Sequence, residues 1–113
     1  MSRGWQPLVE FDFDRRLMDT PGVALVLFGQ PGCGGCRAWH RVLPGWLPGD
    51  VSLYYADVAQ ATALARRFEL FHLPALALYR DGHFHAMLQA PLERGALLDA
   101  FYTALSAAAE DEP

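Results

Sequence analysis

The sequence has few cysteines, little net charge and no long apolar segment, and each of these shortages excludes a class of protein. Two cysteines among 113 residues cannot build the framework of several disulfides that holds small secreted domains together. A formal net charge of −4 offers no basic surface to a nucleic acid or to an anionic membrane. The apolar run at 23–28 is far too short to span a bilayer.

The composition instead fits one globular domain that comprises residues 1–113. Apolar residues make up 52% of the chain, and a chain of this length buries roughly two-thirds of its unfolded surface, so it needs no staple to fold. The first residues carry neither an apolar h-region nor a small-residue cleavage site, which predicts a cytoplasmic protein. We expect a monomer, and we expect the small, acidic tail at 107–113 to fray.

The two cysteines stand close together, because only two glycines separate Cys33 from Cys36. They follow the apolar run at 23–28 and a Gly/Pro turn at 29–32, which predicts that a buried strand ends here and that a helix begins at or beside Cys33. One thiol then lies where backbone N–H groups point outward, and the other lies a turn deeper. A disulfide across so short a loop adds little stability, so the pair suits reversible dithiol/disulfide chemistry better than a structural role.

Hydrophobic periodicity predicts the other elements. Strands are expected at 8–11, 23–28, 51–56, 75–79 and 83–88. Apolar stripes predict helices that bury Phe13 and Leu17 in the first, Ala61, Leu64, Ala65 and Phe68 in the third, and Leu97, Phe101 and Leu105 in the last. Asp12 is a good N-cap for the first helix, and the second helix cannot run unperturbed past Pro44.

The resulting order is β-α-β-α-β-α-β-β-α, which belongs to the α/β class. Strands that alternate with helices imply a mixed central sheet covered on both faces, and the hairpin at Asp81-Gly82 supplies its antiparallel edge. The predicted architecture is therefore a three-layer α/β/α sandwich.

Four features in this order resemble the thioredoxin family over nearly the whole chain. They are the apolar strand that runs into Cys33-Gly34-Gly35-Cys36 and Arg37, the strand-terminal Asp57, the Leu73-Pro74 pair directly before a strand, and the Tyr79-Arg80-Asp81-Gly82 hairpin before a long closing helix. The resemblance implies a thioredoxin-like fold and a cis-proline, Pro74, that faces the cysteines. It also implies a thiol–disulfide oxidoreductase that takes disulfide-containing proteins as substrates, is recharged by an upstream reductant and needs no cofactor besides the cysteine pair.

Within this frame the two thiols acquire different expected roles. The partial positive charge of a helix N-terminus stabilises a thiolate and lowers its pKa from about 8.5 to about 7 or below, so Cys33 is the predicted attacking thiol. Cys36, one turn further in, is expected to resolve the mixed disulfide. Gly34, Gly35 and Arg37 are the expected supporting residues of this helix start.

A shallow apolar groove for the substrate is expected beside the cysteines. A cis bond before Pro74 would leave the Leu73 backbone free to pair with an extended substrate segment, in the manner of an added strand. Gly32 and the loop at Gln89 and Ala90 would complete the groove.

Three departures from the family pattern predict an atypical site. Gly32 and Gly35 stand where related thioredoxins usually carry Trp and Pro, and a looser first turn changes the relative stability of dithiol and disulfide. Leu27 stands where a buried acid is usual. Its apolar side chain is expected to raise the pKa of Cys36 and to make the resolving step slower or dependent on water.

Two other functions remain open from the sequence. A binding or chaperone-type module could use the same groove while the cysteines turn over poorly. A metal or iron–sulfur carrier could use Cys33 and Cys36, most readily across a dimer. The two cysteines could also form a Cys2His2 metal site with His40 and His72, but their spacing is not that of a common zinc module. We expect no metal site. His83 and His85 are expected to face solvent.

Overall fold

A computed structural model describes residues 4–113, so the first three residues of the predicted domain lie outside the described part. The elements follow the predicted order. They are β1 (Gln6–Leu8), α1 (Phe13–Met18), β2 (Val23–Gly29), α2 (Gly34–Trp46), β3 (Ser52–Asp57), α3 (Thr62–Arg67), β4 (Ala75–Arg80), β5 (His83–Leu88) and α4 (Arg94–Ser106). No helix of this part of the chain is long and apolar enough to cross a membrane.

The strands form one mixed sheet in the order β1-β3-β2-β4-β5. β1, β3 and β2 run parallel, whereas β4 runs antiparallel to β2 and β5 antiparallel to β4. β2 therefore lies at the centre, and Leu27 pairs with Tyr55 on one side and with Leu76 on the other. The predicted mixed sheet with its antiparallel hairpin edge is confirmed.

Each face of the sheet carries a core of its own. On one face α1 and α3 bury Phe13, Leu17, Leu64 and Phe68 against the sheet. On the other face α2 and α4 bury Trp39, Leu43, Leu97 and Phe101. A central strand covered on both sides must be apolar at every position, which is why the run at 24–29 is buried without alternation. The three-layer α/β/α sandwich is thus observed.

The first strand lies earlier in the chain than the pattern predicted. It ends at Leu8 instead of spanning 8–11. Val9 to Asp12 forms a turn, in which the Asp12 N–H donates to the Val9 carbonyl at 3.3 Å and the Asp12 carboxylate accepts the Val9 N–H at 2.9 Å. Asp12 does occupy the N-cap position of α1, but its side chain bonds this turn and not the helix.

α2 also differs from the prediction, since it runs past Pro44 to Trp46. A proline has no N–H to give to the carbonyl four residues earlier, which here belongs to His40. The indole Nε1–H of Trp5 donates to that carbonyl instead, at 2.8 Å. A contact from the distant N-terminal segment thus satisfies the acceptor that Pro44 leaves open, and the helix continues.

The prediction that both hairpin histidines face solvent is wrong for one of them. His83 is exposed, but His85 is only 5% exposed. The register of β4 and β5 shifts between Leu78 and Tyr79, so that His85 is an extra residue without a partner across the ladder. Such a bulge changes the face to which a side chain points, and the His85 Nε2 lies 2.6 Å from the Ala104 carbonyl of α4.

The tail at 107–113 makes contacts that its composition did not predict. The Glu110 N–H donates to the His85 carbonyl at 2.7 Å, and the Glu110 carboxylate accepts the Met87 N–H at 3.3 Å. Glu112 forms an ion pair with Arg67 at 2.7 Å. The tail therefore lies along the outer edge of β5, where the sheet would otherwise present unpaired backbone groups.

The hairpin glycine, Gly82, lies against the end of α1, and this contact can be tested by substitution. Gly82 has a φ of +85°, and a Cβ there would lie 2.8 Å from the Met18 Cα. Gly22 has a φ of +72° but no neighbour within 4 Å of such a Cβ. We expect Gly22→Ala to cost about 1–2 kcal/mol of unfolding free energy for the left-handed backbone alone. Gly82→Ala should cost clearly more, because the backbone of Met18 must also move. Urea unfolding of the two variants measures the difference, and equal losses would contradict the packing described.

Candidate active site

The site begins where β2 leaves the sheet and α2 starts. Cys33 is the N-cap of α2, with an extended backbone (φ −83°, ψ 108°), as predicted from the Gly/Pro turn before it. Its Sγ accepts the backbone N–H of Cys36 at 3.1 Å. The sulfur therefore takes up one of the N–H groups that a helix start leaves without a partner, which is the environment that favours a thiolate.

Cys33 and Cys36 are joined by a disulfide, with their Cα atoms 5.2 Å apart. The two residues differ in accessibility, because Cys33 is half-buried whereas Cys36 is only 2% exposed. An external reagent can therefore reach one sulfur much more readily than the other. This asymmetry accords with the expected division into an attacking and a resolving thiol.

Gly29 makes room for the buried sulfur at the end of β2. A Cβ on Gly29 would stand 3.0 Å from the Cys36 Sγ and 3.1 Å from the Tyr55 Cε2. Both side chains thus occupy the space that any larger residue would need, so the first turn of α2 packs directly on the sheet. A side chain on Gly29 would push Cys36 or Tyr55 away.

The Leu73-Pro74 segment approaches the same helix turn from the other side. Its peptide bond is cis. A Cβ on Gly35 would lie 3.1 Å from the Pro74 Cδ, whereas one on Gly34 would meet nothing within 4 Å. Gly35 is therefore the residue of the motif that Pro74 packs against.

Two depressions flank the disulfide, one on the side of each cysteine. The depression beside Cys36 has a volume of about 630 Å³ and is lined by Gln30, Pro31, Gly32, Cys36, Arg37, His40, Tyr55 and Asp57. The depression beside Cys33 has a volume of about 580 Å³ and is lined by Gln30, Cys33, Val58, Ala65, Leu70, Phe71, His72 and Leu73. Arg37, Asp57 and the Tyr55 ring border the first depression. Apolar side chains border the second together with Gln30, Cys33 and His72.

The residues predicted to form one substrate groove are distributed over several places. Leu73 lies beside Cys33, but Gly32 borders the depression beside Cys36. Pro74 and Gln89 line a third depression, of about 330 Å³. Ala90 packs against the core that α2 and α4 cover. Leu73 and Cys33 thus border the same depression, and whether the other residues join them in one groove stays a prediction.

The remaining predicted residues lie around the helix start. Gly34 and Gly35 form its exposed first turn, and Arg37 borders the depression beside Cys36. His40 borders the same depression, whereas His72 lies beside Cys33. Among residues 4–113 no three His, Cys, Asp or Glu side chains come together as a metal ion would require, so the Cys2His2 set is not assembled.

Two residues of the site were missed in the sequence. Phe71 is 86% exposed and borders both the depression beside Cys33 and the third one. The sequence feature that could have indicated Phe71 is an aromatic residue that lies outside the apolar stripe of α3 and only two positions before Leu73. Periodicity assigns Tyr55 only to a strand. Its place beside Leu27 follows from the sheet register, which periodicity does not give.

Burial shifts the acid–base behaviour of the depression beside Cys36. It lowers the pKa of His40 below its usual value of 6.5. The pKa of Tyr55 is raised, first by burial and then by the negative charge of Asp57. At neutral pH the depression therefore presents a neutral imidazole and a phenol O–H.

The two motif glycines form a matched pair for a stability test. Neither has a positive φ, so an alanine in the first turn of α2 should restrict the unfolded chain without backbone strain and add about 0.4–1 kcal/mol to the unfolding free energy. We expect this gain for Gly34→Ala. Gly35→Ala should gain less or lose stability, because its methyl group meets Pro74. Urea unfolding of the oxidised variants measures both, and a larger gain for Gly35→Ala would contradict the contact.

This chain is similar to known proteins both in sequence and in structure. No family model matches the sequence. The protein disulfide-isomerase A3 of Gallus gallus is 31% identical over 91 residues, a match that covers 73% of this chain but only 17% of that protein. The chain thus corresponds to a small part of the curated relative.

Solved structures give the same result over more of the chain. Mitochondrial thioredoxin 3 from Saccharomyces cerevisiae, in its oxidised form, superposes with a TM-score of 0.73 at 20% identity, over 88% of this chain and 94% of that one. The zinc-bound form of human ERp44 superposes with a TM-score of 0.70 at 20% identity, over 88% of this chain and 30% of that one. The strand order, the two covered faces of the sheet and the Cys33–Cys36 disulfide at the start of α2 agree with these superpositions. This protein therefore has a thioredoxin-like fold.

Proposed function

We propose that this protein is a thiol–disulfide oxidoreductase that reduces disulfides in other proteins. One observation carries the proposal. Cys33 lies accessible at the N-cap of α2, where its Sγ accepts a helix N–H, and it shares a disulfide with Cys36, which is buried. A protein disulfide-isomerase among the relatives supports the same chemistry.

The cycle starts from the reduced pair. The Cys33 thiolate, stabilised by the helix N–H and the helix dipole, attacks one sulfur of a substrate disulfide. The substrate S–S bond breaks, one substrate thiolate leaves and a mixed disulfide forms. The Cys36 thiolate then attacks the Cys33 sulfur, which releases the second substrate thiolate and forms the Cys33–Cys36 disulfide. Two electrons have passed to the substrate.

An upstream dithiol reductant returns the pair to its reduced form. We place the protein in the cytoplasm, where thiol systems supply such electrons. The exchange needs no cofactor, because the thiolates themselves carry the electrons.

The surface beside Cys33 is the proposed binding site for the substrate. Leu73 borders this depression together with Leu70 and Phe71. An extended segment that pairs with the Leu73 backbone would bring its disulfide to the Cys33 sulfur, and apolar side chains of the segment would rest on the exposed ring of Phe71.

The same ring supports a second candidate function. An aromatic side chain that is 86% exposed and lies next to Leu70 and Leu73 at the depression beside Cys33 offers binding energy whether or not the cysteines react. A binding or chaperone-type module would use this surface and leave the disulfide as a minor feature.

Two serine variants separate the functions. Cys33→Ser should abolish reduction of a disulfide-bonded protein such as insulin, down to the rate without protein, because the accessible thiolate at the N-cap is lost and the remaining thiol, Cys36, is buried. Cys36→Ser should accumulate mixed disulfides through Cys33, counted by intact mass. A binding module would keep its partners in the Cys33→Ser variant. Unchanged insulin reduction by Cys33→Ser would overturn the proposed function.

A further inference from the structure

The depression beside Cys36 has no part in the cycle above, although it borders one of its reacting sulfurs. It holds about 630 Å³, and one water molecule takes about 30 Å³ in the liquid. The depression therefore has room for water beside the sulfur, and polar side chains such as His40, Tyr55 and Asp57 border it.

Cys36 needs such a connection, because it must lose a proton before it attacks. A free thiol has a pKa of about 8.5, and apolar surroundings raise it. Cys36 is only 2% exposed, and Leu27, on the same sheet face, is fully buried. On β2 the sulfur packs against Gly29, and neither Gly29 nor Leu27 has a side chain that accepts a proton. The remaining route leads into the depression.

His40 is placed to receive the proton at the end of that route. It follows Cys36 by four residues on α2 and therefore lies one turn away on a neighbouring part of the helix surface. Both residues border the depression. Tyr55 faces it from β3, with its ring close to the Cys36 sulfur at the position of the absent Gly29 side chain.

The His40 ring is held in a defined position. It stacks on the Trp5 ring with centroids 4.9 Å apart and meets the Tyr55 ring edge-on at 5.7 Å. Trp5 also donates to the His40 carbonyl. The charged groups that border the same depression are Arg37 on α2 and Asp57 on β3. His40 is exposed to solvent, and the partial burial of its ring lowers its pKa below the usual value of 6.5. Most of the imidazole is therefore unprotonated at pH 7 and can accept a proton.

We propose that His40 accepts the proton of the Cys36 thiol, through water in this depression, during the resolving step, and that Tyr55 and Trp5 position its ring. This inference rests on the proposed function. In the mixed disulfide the Cys36 S–H gives its proton to the imidazole. The resulting thiolate forms a bond to the Cys33 sulfur. The bond between Cys33 and the substrate sulfur breaks, and its electron pair leaves on the substrate thiolate. The imidazolium then returns its proton to the surrounding water.

The test separates attack from resolution. Fully reduced protein is mixed with one equivalent of 5,5′-dithiobis(2-nitrobenzoate) in a stopped-flow instrument. The first thionitrobenzoate released reports attack by Cys33, and the second, whose rate is independent of protein concentration, reports resolution by Cys36. His40→Phe keeps a planar ring against Trp5 but cannot take a proton, and His40→Asn removes the ring. His83→Asn, on the exposed hairpin, is the matched control.

We expect both His40 variants to slow the second release at least about tenfold at pH 7 and to leave the first release unchanged. The rate of resolution should be nearly constant from about pH 6.5 to 8 in the natural protein and in His83→Asn. In the His40 variants it should rise about tenfold per pH unit, as the ionisation of a free-standing thiol does. A steep profile in the natural protein, or an unchanged rate and profile in His40→Phe, would overturn the inference.

The two measurements distinguish a failure of this inference from a failure of the proposed function. If the natural protein fails to reduce insulin while the second release still depends on His40, the proposed function fails and this inference stands. If the natural protein reduces insulin and the rate of the second release does not depend on His40, the proposed function stands and this inference fails.

Discussion

The burial of β2 on both faces organises the rest of the molecule. β2 pairs with β3 on one side and β4 on the other, and its residues from Ala24 to Gly29 are all buried. A strand in this position must be apolar throughout, and it can present chemistry only where it leaves the sheet. That exit is the turn at 30–32, after which Cys33 starts α2. Cys33 is therefore accessible because it follows the end of β2, whereas the residues within the strand are buried.

The close approach of α2 to β2 then separates the two thiols. Gly29 has no side chain, so the Cys36 sulfur sits directly on the strand end, while Cys33 stays at the helix N-terminus. The N-terminal segment completes this arrangement. Trp5 supplies the hydrogen bond that Pro44 cannot make and stacks on His40. A single indole thereby stabilises the helix that carries both cysteines and fixes the ring that borders the buried one.

The sequence indicated those features that depend on local patterns. The element order, the helix start at Cys33 and the buried stripes of Phe13 with Leu17 and Leu97 with Phe101 all follow from periodicity and capping. The features it did not indicate depend on contacts between distant segments. α2 continues through Pro44 because of Trp5, and His85 is buried because a bulge on β5 turns it toward α4.

The candidate site divides in the same way. The cysteine pair was evident from its spacing, and the apposition of Pro74 to the helix start came from the resemblance. The expected substrate groove stays a prediction, because loop positions such as Gln89 and Ala90 depend on how β5 and α4 pack. Tyr55 and His40 come together only through the register of β3 and the packing of α2 on the sheet. No local pattern encodes that meeting.

The central claim is that Cys33 and Cys36 form a reversible redox couple. Equilibration of the protein in thiol/disulfide buffers of graded potential, with reduced and oxidised forms counted by intact mass, tests it directly. The account predicts a two-electron transition, with about 30 mV per tenfold change in the ratio of the forms, at a midpoint between about −120 and −270 mV. A pair that stays oxidised below about −300 mV, as structural disulfides do, or that never forms the disulfide, would contradict it.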